Sequence, residues 1–201
     1  MNRPCVIRDT AMGAFRSSLE DEAFARREIE LEGTIDRAKA MDTIRAMRFL
    51  AEEDTDKPIT LLINSEGGSV VDGLAIYDTM KVLPCPVRTI CVGEASSMAA
   101  IILAGGSKGN RFILPNAQVM IHDPIQTGCG GPALTVDAIS QRLMRTRKLV
   151  AEILADCTGR SVEEILEKTS RDSFFTADEA MEFGLVDCII QSWGGDMYAA
   201  G

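Results

Sequence analysis

Two adjacent serines stand where an apolar run gives way to a short apolar helix pattern, in Gly93-Glu94-Ala95-Ser96-Ser97-Met98. A sharp turn from strand to helix exposes a hydroxyl to an acyl carbon, and the N–H groups and dipole of the helix start stabilise an alkoxide or oxyanion developing beside it. The plainer role for serine at such a point is to cap the helix. Asn64-Ser65-Glu66-Gly67-Gly68-Ser69 occupies the equivalent point of the preceding unit. Paired glycines there let backbone approach a ligand and offer it N–H groups, or simply make a tight turn. A serine nucleophile needs a base, and the chain has one histidine, His122. Imidazole chemistry therefore runs through that residue or through a neighbouring chain. Spacing leaves open which carboxylate orients it: Asp123, Asp172, Asp178 and Asp187 all qualify.

The surrounding pattern must position these groups. Ile35, Ala38, Met41, Ile44, Met47 and Leu50 recur every three residues, a helical stripe that opens after Gly33-Thr34 and stops in the polar run Glu52 to Asp56. Ile59 to Ile63 reads as a buried strand, Asn64 to Gly68 as turn, and Val70 to Val82 as helix. The unit repeats as strand Val87 to Val92, turn Gly93 to Ser97 and helix Met98 to Leu103. Such repetition predicts a largely parallel, covered sheet of the α/β class. Strands Arg111 to Leu114 and Gln118 to Ile121 follow, the second placing His122 at a strand end, where parallel sheets keep their sites. After a Gly-rich loop, Thr127 to Pro132, come a long helix from Leu134 to Cys157, a short one opened by Ser161 with Glu164 completing a capping box, a third from Ala177 to Phe183, and a strand from Leu185 to Ile190. Residues 1 to 24 show no clear period and read as an arm or a segment ordered by a partner.

Length and charge narrow the classes. The 201 residues fit one domain. Thirty acids against twenty-one Lys and Arg leave a net charge of −9, the wrong sign for a phosphate backbone, so no nucleic-acid partner is expected. The longest apolar run, Met98 to Ala104, is too short for a bilayer. The phosphate-binding fingerprints G-x-x-x-x-G-K-[ST] and G-x-G-x-x-G are absent. Cys5, Cys85, Cys91, Cys129, Cys157 and Cys188 form no C-x-x-C pair, which excludes a zinc site of the usual spacing; reduced thiols in a cytoplasmic protein are the expectation, with no metal.

Taken together, Ile-Asn-Ser-Glu-Gly-Gly from Ile63, Gly-Glu-Ala-Ser-Ser-Met-Ala-Ala from Gly93 and Leu-Pro-Asn-Ala-Gln-Val-Met-Ile-His ending at His122 resemble the Clp-type serine peptidases, the proteolytic subunits of ATP-dependent proteases. The resemblance runs in order from about Leu31 to Ile190. It implies a crotonase-like fold, with Ser97 as nucleophile, His122 as base, Asp172 as third triad member, and the backbone N–H groups of Gly68 and Met98 as the oxyanion hole. By the same resemblance Ser69 and Val70, with Ile125, Gln126 and Thr127, pair with an extended substrate strand. Arg171 links neighbouring rings, the long helix is the handle between two stacked heptameric rings, and an AAA+ unfoldase, not this chain, uses ATP. The implied division is an N-terminal segment over 1–30, mobile or pore-facing, a peptidase domain over 31–191, and a Gly-rich tail over 192–201.

The chain departs from the family pattern at several points. Glu66 stands for a common proline, Glu94 for glutamine, Ser96 for alanine and Ala99 for glycine, while Thr60 and Leu62 replace aromatic residues of the ATPase-docking pocket. The expected activity is serine endopeptidase action on unfolded polypeptide. The competing readings are a catalytically silent ring subunit beside an active paralogue, and a crotonase-fold acyl-CoA enzyme using Glu66 or Glu94 as its base.

Overall fold

In the computed structural model, which describes residues 4–10, 13–126, 128 and 130–192, the patternless first residues are ordered by pairing with themselves. They form an antiparallel hairpin of β1 (Cys5–Thr10) and β2 (Gly13–Ser18), followed by helix α1 (Leu19–Ala25), whose Ser18 and Asp21 make a capping box. Thr127, Cys129 and the tail from Trp193 lie outside the described residues.

The predicted α/β alternation then follows. Strand β3 (Glu28–Ile35) leads to α2 (Arg37–Glu53), β4 (Ile59–Gly68) to α3 (Val70–Val82), and β5 (Val87–Ser96) to α4 (Met98–Ala104). Short strands β6 (Arg111–Ile113) and β7 (Gln118–Ile121) precede the long α5 (Ala133–Thr158) and α6 (Val162–Thr169). Strand β8 (Ser173–Phe175), α7 (Ala177–Phe183) and β9 (Cys188–Ile189) end the described fold. The main sheet has seven strands in the order β3-β4-β5-β6-β9, with β7 pairing β5 and β8. Every pairing is parallel except β7 with β8.

All seven residues of α4 are buried, so this helix runs through the core rather than over it, as its uniformly apolar sequence requires. Gly73 of α3 makes room for it, because a Cβ there would come within 2.7 Å of the Met98 methyl. Helix α5 behaves differently. It buries Val150, Ala151, Leu154 and Ala155 near its C-terminal end and leaves Leu134, Val136 and Met144 exposed in its first half.

Three readings of the sequence need correction. Glu28–Ile35 is a strand, hidden because acids alternate with Ile29, Leu31 and Ile35 on a half-covered edge of the sheet; Ile35 thus ends β3, and Asp36 caps α2. Asn64–Gly68 and Gly93–Ser96 continue β4 and β5 rather than forming turns. Their polar and glycine residues serve a slip in the ladders: the β3–β4 register shifts between Glu32 and Thr34, and the β4–β5 register between Ile63 and Ser65. Side chains replace the lost backbone bonds there. Asn64 Oδ1 accepts from the Glu94 N–H at 3.2 Å, and Ser65 Oγ donates to the Gly33 carbonyl at 2.6 Å while accepting from the Gly67 N–H at 3.0 Å. Finally, the strand expected from Leu185 to Ile190 is confined to Cys188–Ile189, and Ser173–Phe175 adds a strand too short for any period to reveal.

One buried cation ties the far edge together. Arg111 is buried, and its guanidinium donates to both carboxylate oxygens of Asp187, at 2.5 and 3.0 Å, and to the carbonyls of Cys157 and Gly184 at 2.8 and 2.9 Å. Burial pushes the Asp187 carboxyl up, but the hydrogen bonds and charge of Arg111 outweigh it and hold the group below its ordinary value. Removing one partner strands the other, so Arg111→Met is expected to cost about 3–5 kcal/mol in urea unfolding. The depressed carboxyl contributes stability above its unfolded pKa and loses it as pH falls through the folded one. Wild-type stability should therefore fall more steeply with acid than that of Asp187→Asn.

Candidate active site

Sheet register assembles the site. Strand β7 lies parallel to β5, with Ala95 opposite Val119 and Ser96 opposite Met120, and the Ser97 N–H donates to the Met120 carbonyl at 2.8 Å. On its other side β7 runs antiparallel to β8, with Ile121 opposite Ser173. The residue after Ile121 and the residue before Ser173 are therefore neighbours, and these are His122 and Asp172.

The contacts follow in line. Ser97 Oγ lies 2.9 Å from His122 Nε2, and His122 Nδ1 lies 3.2 Å from Asp172 Oδ1. An ionised carboxylate only accepts, so the Nδ1–H points at Asp172 and leaves Nε2 to accept from the serine hydroxyl. The imidazole is 16% exposed and the carboxylate 63%. The other three candidate carboxylates are elsewhere. Asp123 pairs with Arg147, Asp187 with Arg111, and Asp178 lies in the first turn of α7.

The two serines are separated by the same geometry. Ser96 is buried, and its hydroxyl donates to Glu94 Oε1 at 2.5 Å. Ser97 sits at the N-cap of α4 but makes no capping bond, and its backbone takes φ 55° and ψ −120°. A non-glycine residue at positive φ carries strain of about 1–3 kcal/mol, which the surrounding ladder must hold. That conformation turns the hydroxyl away from the helix and toward His122.

Gly67 packs directly beneath this elbow. At φ +91° its missing side chain leaves space that a Cβ would fill at 2.5 Å from the Ser96 carbonyl oxygen and 3.0 Å from the Met98 nitrogen. Gly68, at φ +153°, is pressed as closely against the Ile35 backbone, where an added Cβ would collide with the carbonyl oxygen. The Gly67 backbone thus lies beside the Met98 N–H, one of the helix-start donors without an intrahelical partner. The sequence pattern marked these glycines but not Asn64 and Ser65, whose side chains carry the register slip that brings the glycines here. Polar residues ending an apolar strand were the available signal.

The added carboxylates are engaged. Glu66 accepts a short hydrogen bond from the Thr34 hydroxyl, which holds its carboxyl below the ordinary value and makes it a weaker base; Glu94 is occupied by Ser96. Beside the site, Val70 and Leu74 of α3 face Ile125, Ile139 and Leu143 across a cleft of about 300 Å³, with Gln126 also in its wall. Ser69 caps α3 through a bond from the Asp72 N–H. Thr127 lies outside the described residues, and Arg171 makes no hydrogen bond or ion pair among them. Among the described residues no cluster of three or more His, Cys, Asp and Glu side chains is placed to hold a metal, and no helix is long and apolar enough to cross a membrane.

Known proteins match the sequence over nearly the whole chain. The Clp protease family model matches residues 13–193. The ATP-dependent Clp protease proteolytic subunit 1 of Thermobifida fusca (strain YX) is 43% identical over 187 residues, covering 93% of this chain and 84% of that protein. With a match of that extent and a mixed α/β fold built on a parallel sheet, the chain belongs to the Clp protease family.

Proposed function

We propose that the chain is a serine endopeptidase that cleaves unfolded polypeptide inside a ring-shaped oligomer. The observation that carries this reading is the line Ser97–His122–Asp172, at 2.9 and 3.2 Å, on a strained elbow whose serine does not cap its helix. His122 takes the Ser97 proton as Oγ attacks the acyl carbon, Asp172 holds the imidazole tautomer, and His122 returns the proton to the leaving amine. The N–H groups of Gly68 and Met98 receive the oxyanion, and water completes the cycle by hydrolysing the acyl-enzyme.

Substrate lies between the two chain segments that flank the site. Ser69 and Val70 on one side, and Ile125, Gln126 and Thr127 on the other, pair with its backbone as an added strand, which accepts many sequences. The apolar cleft between Val70 and Ile125 takes a side chain next to the scissile bond. The bound Glu66 and Glu94 speak against an acyl-CoA chemistry run by those carboxylates. The chain itself needs no cofactor. An AAA+ unfoldase spends the ATP, and its docking contact is altered by Thr60 and Leu62, of which Leu62 is half-buried. Free cysteines among the described residues fit a cytoplasmic location.

The reading is tested by fluorophosphonate labelling with mass-spectrometric mapping, which should modify Ser97 alone. Ser97→Ala should abolish both labelling and peptide hydrolysis by several powers of ten while the fold survives, whereas Ser96→Ala should retain activity. The reverse pattern would falsify the assignment.

His122 is the one imidazole in the sequence, so no second histidine can take its place as the base. His122→Gln should be inactive in peptide hydrolysis; activity near the wild-type level would remove His122 from the mechanism.

Arg171 is exposed beside Phe174, with Glu164, Glu167 and Lys168 around the same hollow, and it adjoins Asp172 by one peptide bond. A guanidinium is suited to a bidentate partner carboxylate across a ring contact. Arg171→Ala is expected to shift the particle to smaller species in sedimentation velocity and to lower hydrolysis in parallel. Lost activity at unchanged mass would confine Arg171 to the active site.

A further inference from the structure

Asp123 follows the imidazole by one peptide bond, yet its carboxylate is spent on two helices. Its Oδ2 accepts from Arg147 Nε of α5 at 2.6 Å, and its Oδ1 accepts from Thr169 Oγ1, at the end of α6, at 2.8 Å. The Asp123 N–H also donates to the Thr169 carbonyl at 2.8 Å, and Arg147 Nη2 reaches the Leu166 carbonyl at 3.3 Å. Thr169 is 3% exposed, so its hydroxyl has little water to turn to. Asp172 stands three residues beyond Thr169. One aspartate therefore grips the segment that carries Asp172 while its own backbone carries His122.

We infer that Asp123, held by Arg147 and Thr169, is a positioning residue that fixes the separation of His122 from Asp172 and makes it depend on where α5 sits. This rests on the peptidase reading above. Arg147 is placed for that dependence, since α5 exposes Leu134, Val136 and Met144 before it and becomes buried only from Val150 onward. A displacement of the exposed half reaches the site through the guanidinium.

The magnitudes separate this role from a merely structural one. The Arg147 and Asp123 side chains are 28% and 32% exposed, and ion pairs of that exposure contribute little to stability. Misplacement of a catalytic group by an ångström, by contrast, costs up to about 100-fold in rate. Breaking the clamp should thus lower turnover far more than it lowers the melting temperature.

The experiment uses the full chain and four variants. Arg147→Met and Thr169→Val, which remove a donor, are expected to lower kcat by about 10- to 100-fold with KM within about twofold. Arg147→Lys and Thr169→Ser, which keep a donor, should recover most of the loss. A second readout needs no catalysis: His122 is the only imidazole, so its carbethoxylation by diethyl pyrocarbonate can be followed by ultraviolet absorbance without ambiguity. It should proceed several-fold faster in Arg147→Met and Thr169→Val, where Asp172 no longer holds Nδ1. Unchanged kcat and unchanged carbethoxylation in both variants overturn the clamp. So does a loss that tracks a fallen melting temperature and is not recovered by lysine or serine. Should wild type neither hydrolyse peptide nor label at Ser97, the peptidase reading fails, and the carbethoxylation rates still decide the clamp.

Discussion

The pairing of β7 is the constraint on which the rest of the site depends. Four residues, Gln118–Ile121, are hydrogen-bonded on one side to the end of β5 and on the other to β8. The first pairing sets Ser97 against the strand that ends in His122, and the second sets Asp172 beside it. A slip of one residue in either ladder would turn alternate side chains to the opposite face and separate the three groups. Such register is well specified here because Val119 and Ile121 are buried on one face, so a slipped strand would expose both.

The opposite wall has a different origin. Strands β4 and β5 pass in register from Ile59 to Ile63 and then slip, and the polar side chains of Asn64 and Ser65 satisfy the backbone groups that the slip leaves open. The slip carries Gly67 under the elbow, at a distance no side chain tolerates. Strain at Ser97 and close approach at Gly67 belong together. The positive φ of Ser97 persists because the Met120 carbonyl holds its N–H and because helix α4, buried on every side, cannot shift to relieve it.

Much of this was legible in the sequence. Helix α3 and strand β7 begin and end where the apolar pattern predicts, and the capping box at Ser161 and Glu164 forms as expected. The illegible parts share a physical cause, since each depends on a partner remote in the chain. The strand Glu28–Ile35 exists because β4 pairs with it, although its own residues alternate acid with aliphatic. Asn64–Gly68 has turn composition, but its polar groups serve a ladder slip between strands. Which of the four aspartates meets the His122 ring depends on the β7–β8 register, and which of the two serines faces it depends on the backbone of Ser97, because both hydroxyls have the same local chemistry.

Under the proposed reading, the exposure of Asp172 bears on how the site would respond to assembly. At 63% exposure its carboxylate competes with water for the His122 Nδ1–H, and a hydrogen bond in water contributes far less than one in a dry site. Arg171 has no partner within the described chain, and Phe174 is 61% exposed in the same hollow. An aromatic side chain and a guanidinium adjoining a carboxylate are the components of a protein contact. Under the proposed reading, burial of that hollow by a second subunit removes water from Asp172 and strengthens its hold on the imidazole. The triad is then weakest in an isolated subunit, where unfolded chains would be cut without selection, and strongest in the closed particle.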